Sequence, residues 1–96
     1  NIIVMGDLND FPWSKALKSL EANQLANIYS HIPEDDHYTY IHEGNGQVLD
    51  YILMSHQLEK MFESGFPVHL NTALLPDEKL SDHDPVLAIF DFSRVQ

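Results

Sequence analysis

The sequence contains no cysteine. A disulfide scaffold, a thiolate zinc site and a cysteine nucleophile are therefore all excluded, although the compartment is left open. Basic residues are scarce: five Lys and Arg stand against fifteen Asp and Glu, for a formal net charge of −10. Binding to a phosphate backbone runs on Lys and Arg, so this balance by itself argues against a nucleic acid groove. It suits a hard cation, which takes oxygen ligands. No apolar run approaches the roughly 18 residues a membrane span requires. Internal repeats, low-complexity stretches and linkers are also lacking. His31, His37, His42, His56 and His69 show no compact ligand spacing such as His-x-x-x-His, so each is expected on the surface or in a loop. Glu34, Asp35, Asp36, Glu59, Glu63, Asp77 and Glu78 are expected to be solvated surface charge.

What is present fits one small globular unit. The chain has 96 residues, 44% hydrophobic and 21% charged, and a unit of this size buries only a modest core. It opens inside an apolar run, Ile2-Ile3-Val4-Met5, without an initiating Met or a visible signal peptide. Natural domains seldom begin within a buried strand, so residues 1–96 are expected to be a single partial domain whose start is a cut.

Residues 2–5 read as a strand buried on both faces. Gly6 is expected to end it, with a polar turn at residues 7–10. A helix follows to about Ala22, capped by Asp10 or Ser14 and closed by Asn23, with Leu17 and Leu20 as its stripe, extended by Trp13. Residues 24–37 read as loop. Residues 38–41 read as a strand, Gly44-Asn45-Gly46 as a hairpin turn, and residues 48–54 as the second half of that hairpin. Ser55 caps a short helix over residues 56–62. A further strand is expected at 68–72, a loop at 76–79, and a last strand at 86–92. The fold class is mixed α and β.

Three segments carry chemistry. In the first, Gly6-Asp7-Leu8-Asn9-Asp10 follows a strand end, a rigid place from which to hold Asp7 and Asn9. Taken alone it is equally an Asx turn before a helix cap. In the second, Asp50 is the only charge within the apolar segment 48–54. A buried carboxylate needs a partner, and histidine or a metal can supply it; otherwise Asp50 lies on the solvated face of an edge strand. In the third, Ser81-Asp82-His83-Asp84-Pro85 leads into the last strand. There Asp82 can ligate a hard cation, and His83 can bond a phosphate oxygen or move a proton near neutral pH.

The order Gly-Asp-x-Asn, Leu-Asp-Tyr-Ile, Ser-Asp-His-x-Pro resembles the C-terminal motifs of the endonuclease/exonuclease/phosphatase superfamily, over essentially the whole chain. The wider context of these motifs looks like a bacterial branch of predicted extracellular nucleases, which implies a secreted protein. The resemblance implies the C-terminal half of a DNase I-like four-layer α/β sandwich. That half would be mainly one mixed or antiparallel sheet with one or two helices, completed by an N-terminal half as partner. It implies a divalent-metal-dependent phosphodiesterase, with nucleic acid as substrate. Inositol phosphates or sphingomyelin are the alternative, and a non-enzymatic fragment with an incomplete site is a third reading.

The same resemblance implies roles. Asp7 would orient or deprotonate the attacking water. Asn9 would contact the scissile phosphate, and Asp50 would fix the tautomer of His83. His83 would stabilise charge on the phosphate. Asp82 would be a metal ligand, joined by Asp7, for Mg²⁺, Mn²⁺ or Ca²⁺. The superfamily's upstream asparagine, metal-binding glutamate and mid-chain histidine or tyrosine have no counterpart here, since Glu21, Glu34 and Glu43 fall outside the expected context. The 96-residue chain alone is accordingly expected to be inactive. Its sheet would expose an apolar face, so it is expected to associate as a dimer or higher assembly.

Overall fold

A computed structural model describes residues 1–75 and 77–93. Pro76, first residue of the loop expected at 76–79, lies outside the described residues. The elements run β1 (Ile3–Asp7), α1 (Lys15–Ala22), β2 (Leu25–Asn27), two 3₁₀ turns (Ile28–His31 and Glu34–Asp36), β3 (Tyr40–His42), β4 (Asn45–Gln47), β5 (Asp50–Ser55), α2 (His56–Glu59), β6 (Phe62–Pro67) and β7 (Val86–Phe90). The fold is mixed α and β, with antiparallel pairing throughout, compatible with a fragment of the DNase I-like fold.

The strands divide into a three-stranded sheet of order β1-β5-β2 and two pairs, β3-β4 and β6-β7. β5 therefore occupies the centre. Its residues Tyr51, Ile52, Leu53 and Met54 are all buried, so both of its faces are covered. Leu17 of α1, Ile28, Tyr29, Ile32, Val48, Leu58 and Met61 complete this core.

α1 forms as its caps dictate. The Ser14 side chain accepts from the Leu17 amide, and Leu17 and Leu20 face the core three residues apart. Asn23 closes the helix, and Gln24 follows at φ 69°, the left-handed conformation that commonly ends helices. Trp13 does not extend the stripe: it is 69% exposed and stacks on Phe11 instead.

Several expectations are corrected. β1 is an edge strand, not one buried on both faces. Val4 packs on the core, while Ile3 and Met5 project from the opposite face and are exposed. A continuous apolar run is common to both situations, so composition could not separate them. The strand also passes through Gly6 to Asp7, so the site residue is part of the sheet.

The hairpin joins β3 to β4, and the turn lies one residue earlier than expected. Glu43 and Gly44 occupy it with φ of 49° and 82°, the positive values a two-residue hairpin turn favours. Asn45 and Gly46 belong to β4, and within the expected second half, 48–54, residues 50–54 pair with β1 and β2 rather than closing the hairpin.

α2 is capped by Ser55 as expected but ends at Glu59, and β6 takes over at Phe62. Gly65 of β6 permits close packing, since an added Cβ there would lie 2.7 Å from both Ile28 Cδ1 and Leu87 O. Residues 68–72 are not a strand. They form a turn organised by hydrogen bonds from Asn71 and Thr72 to Asp84.

Candidate active site

Asp7 and Asp50 are cross-strand partners at the end of the β1-β5 ladder. Two carboxylates directly opposite each other repel unless a cation or donor stands between them. His83 is that group. Its Nδ1 lies 2.6 Å from Asp50 Oδ2 and 4.0 Å from Asp7 Oδ2. The contact with Asp50 places a proton on Nδ1 and leaves Nε2 for a ligand. Burial pulls the His83 pKa down. The hydrogen bond to Asp50 and the charges of Asp50, Asp7 and Asp82 outweigh it, so the net shift is upward and favours the imidazolium.

Asp50 is held from several directions. Its amide, with that of Leu49, donates to Thr39 Oγ1 at 3.3 and 3.1 Å. Its carbonyl accepts from the Tyr29 hydroxyl at 2.8 Å. Burial first, and then the Asp50 charge, hold the Tyr29 phenol well above its ordinary range, so it stays a donor. Asp50 thus begins the central strand, with its side chain only 16% exposed, and does not sit on the solvated face of an edge strand.

The loop after β1 is fixed too. The Asn9 amide donates to Asp7 Oδ1 at 2.7 Å, and Asn9 adopts φ 51°. The Tyr51 hydroxyl reaches the carbonyls of Asp10 and Val48 at 2.7 and 3.0 Å, so Tyr51 anchors this loop as well as packing in the sheet.

The five residues expected at the site are therefore placed unequally. Asp7, Asp50 and His83 converge. Asn9 stands next to Asp7 and binds it through the main chain. Asp82 is exposed and lies outside the converging trio, though its charge reaches His83. One ligand atom each from Asp7, Asp50 and His83 lie within 4.8 Å of one another. Because Nδ1 of His83 is committed to Asp50, the donors that fit a hard cation are the carboxylates. Asp7 is the more open of the two, with a side chain 49% exposed.

An open cleft of about 340 Å³ adjoins Asp50, lined by Met5, Gly6, Tyr51, Ile52, Asp84, Pro85 and Val86; neither Asp7 nor His83 lines it.

Sequence reasoning missed Thr39, Tyr40, Asn71 and Asp84. Thr39 is fully buried and carries the Asp50 amide. The Tyr40 ring lies against that of His83 at 5.0 Å between centroids. A hydroxyl residue between two tyrosines in a run of strand formers was the available signal for Thr39. For Asn71 the sequence holds none.

The remaining histidines are not uniformly loose. His42 and His56 are exposed as expected. His31 and His56 both contact Glu59, at 2.7 and 3.2 Å, and the bond from His31 leads in lowering the Glu59 pKa. Glu59 is thus bound rather than merely solvated. His69 is largely buried, stacked on Tyr38 with ring centroids 3.8 Å apart.

No match was found among curated proteins, and none among solved structures. The Endonuclease/Exonuclease/phosphatase family matches residues 1–83, a span that contains Asp7, Asn9, Asp50, Asp82 and His83. With the trio at the sheet end and this match over most of its length, the chain belongs to the Endonuclease/Exonuclease/phosphatase family and carries a hydrolase fold of phosphodiesterase type.

Proposed function

We propose that the protein hydrolyses phosphodiester bonds in nucleic acid, using an activated water and a divalent cation. The observation that carries this reading is the 2.6 Å contact between Asp50 and His83, set beside the open carboxylate of Asp7. Phosphodiester attack needs an oriented water, positive charge on the non-bridging oxygens and a hard cation.

Asp50 holds the proton on Nδ1, so Nε2 of His83 is the atom that meets a phosphate oxygen. The upward-shifted pKa favours the charged ring for that contact. Asp7 accepts a proton from water or orients it, and Asn9 contacts the phosphate. Asp7, the more open carboxylate of the trio, would hold Mg²⁺, Mn²⁺ or Ca²⁺, with Asp82 as the further ligand that the family resemblance implies, and the cation would supply Lewis-acid stabilisation of the phosphoryl oxygens. An extracellular site of action belongs to the same proposal and rests on the sequence context of the three motifs.

A second reading has an observation of its own. The net charge of −10 and the five scattered basic residues favour a small or lipid-borne phosphate ester over a long nucleic acid backbone, unless a partner segment carries the basic groove. Supercoiled plasmid nicking, assayed with Mg²⁺ or Mn²⁺ beside inositol phosphate and sphingomyelin hydrolysis, separates the two. Turnover of the small or lipid substrates without nicking would overturn the nucleic acid assignment. The intact protein is the proper subject of this assay, because the isolated 96 residues are expected to fall far short of its rate.

A further inference from the structure

A second aspartate–histidine pair, Asp84 with His69, is joined to the first through the His83–Asp84 peptide. Asp84 follows His83 in sequence but is only 2% exposed. Its carboxylate accepts four hydrogen bonds: from the Asn71 amide at 2.9 Å, the Thr72 amide at 2.9 Å, the Thr72 hydroxyl at 2.6 Å and His69 Nδ1 at 2.9 Å. These donors fill the capacity of an ionised carboxylate and outweigh the burial that would raise its pKa.

His69 is itself confined. It stacks on Tyr38 with an interplanar angle of 7°, and its buried Nε2 stands 3.5 Å from Asp36 Oδ1. That is near enough for charge attraction, yet this nitrogen makes no hydrogen bond among the described residues.

The same turn grips His83 through the main chain. Asn71 Nδ2 donates to the His83 carbonyl at 2.8 Å, and Asn71 Oδ1 accepts from the Leu80 amide at 3.2 Å. The Asp84 amide donates to the Thr39 carbonyl at 2.7 Å, and Thr39 Oγ1 accepts the amide of Asp50. Both members of the Asp50–His83 contact are therefore referenced to one buried residue, and the turn at residues 69–72 locks the His83 side of that frame.

From this we infer that Asp84, with His69, Asn71 and Thr72, is a positioning device for His83: it sets the His83 ring against Asp50 without touching substrate. A carboxylate with four fixed donors is a rigid pivot, and it lies one peptide from the residue it places. Placement matters because catalytic groups misplaced by about 1 Å can lose on the order of 100-fold in rate. The inference rests on His83 being the working histidine of the phosphodiesterase site.

The test uses Thr72→Val, which deletes the 2.6 Å hydroxyl bond at nearly constant volume, and Thr72→Ser, which restores it. His69→Phe is the second variant. It removes a donor to Asp84 and keeps the ring stack on Tyr38. Two readouts are taken on the intact protein: steady-state kinetics on a phosphodiester, and the Nδ1 proton and nitrogen resonances of His83, assigned by their loss in His83→Ala.

Thr72→Val and His69→Phe are expected to lower kcat by about 10- to 100-fold with little change in KM, and Thr72→Ser to recover it. The His83 resonances shift in the first two variants and return in the third. Folded Thr72→Val and His69→Phe proteins with unchanged kcat and unchanged His83 resonances overturn the inference, while His83→Ala can still be inactive and the phosphodiesterase reading intact. Shifted resonances in a protein that hydrolyses no phosphodiester would support the positioning role and overturn the functional reading instead.

Discussion

Thr39→Val tests the frame of the site most directly. Valine matches threonine in shape, so the change creates no cavity and isolates the hydroxyl oxygen. Thr39 is fully buried, and its Oγ1 is the acceptor for the Leu49 and Asp50 amides at 3.1 and 3.3 Å. Removing it orphans two donors, one on the buried Leu49 and one on the half-buried Asp50. A buried donor left unsatisfied costs about 1–3 kcal/mol. Both bonds are long and Asp50 is near solvent, so the sum should fall near the lower end, about 2–3 kcal/mol. Against the roughly 5–15 kcal/mol of a whole domain that is a large fraction. The assay is urea unfolding of wild type, Thr39→Val and Thr39→Ser, monitored by Trp13 fluorescence and far-ultraviolet circular dichroism. Thr39→Ser keeps the oxygen and should lose less than Thr39→Val. A valine variant within about 0.5 kcal/mol of wild type, the ordinary range for inconsequential substitutions, would show that these amides find another partner and that Thr39 is not the frame.

Further outcomes are expected. His83→Ala in the intact protein should cut turnover by roughly 10²–10⁴-fold, the scale of acid–base and charge-clamp groups, and unchanged turnover would remove His83 from the mechanism. Chelation should abolish phosphodiester cleavage, with Mg²⁺ or Mn²⁺ restoring it, and Asp7→Asn should raise the cation concentration needed. Glu59 has a folded pKa below its unfolded one, so its contacts with His31 and His56 stabilise the fold above the unfolded carboxylate pKa, and that contribution disappears as pH falls through the folded value. Glu59→Gln should therefore flatten the acid limb of a stability–pH profile, by a small amount because the pair is partly solvated. Ile3, Met5, Leu87 and Ile89 are exposed, so the 96-residue chain should sediment as a dimer or larger, and Met5→Lys should shift it toward monomer.

The parts of this fold that could be read in the sequence are those with a local signature. Ser14, the Leu17–Leu20 spacing and Asn23 specify α1, and Ser55 marks the start of α2. Asp50 announced a partner because one carboxylate among six apolar residues has few other ways to be accommodated. Strand β2 was illegible for the opposite reason: Leu25-Ala26-Asn27 is too short to show a period and gains its strand character only by pairing with β5. In β6, Glu63-Ser64-Gly65 carries no strand signature, and the close approach of Ile28, Leu87 and Phe62 explains the glycine. The segment 68–72 has strand-like composition, but hydrogen bonds to Asp84 from far along the chain bend it into a turn. Convergence of Asp7, Asn9, Asp50, Asp82 and His83 was expected from the three motifs, and Asp7, Asp50 and His83 are the members that meet. The buried polar frame around it, Thr39, Asn71 and Asp84, was not, because tertiary contacts alone decide which polar residues are enclosed.

The pairing of His83 with Asp50 also bears on how the molecule reaches its native state. Those two residues are 33 positions apart, and each depends on Thr39, in a different segment again. Contacts of such span are reached only after long loops have closed, whereas α1 and the β3-β4 hairpin can form locally. The helix and hairpin should therefore be present early, and the trio should be among the last features to assemble. A refolding chain would pass through a stage with near-complete secondary structure and no competent site, so in the intact protein recovery of activity should lag behind recovery of circular dichroism.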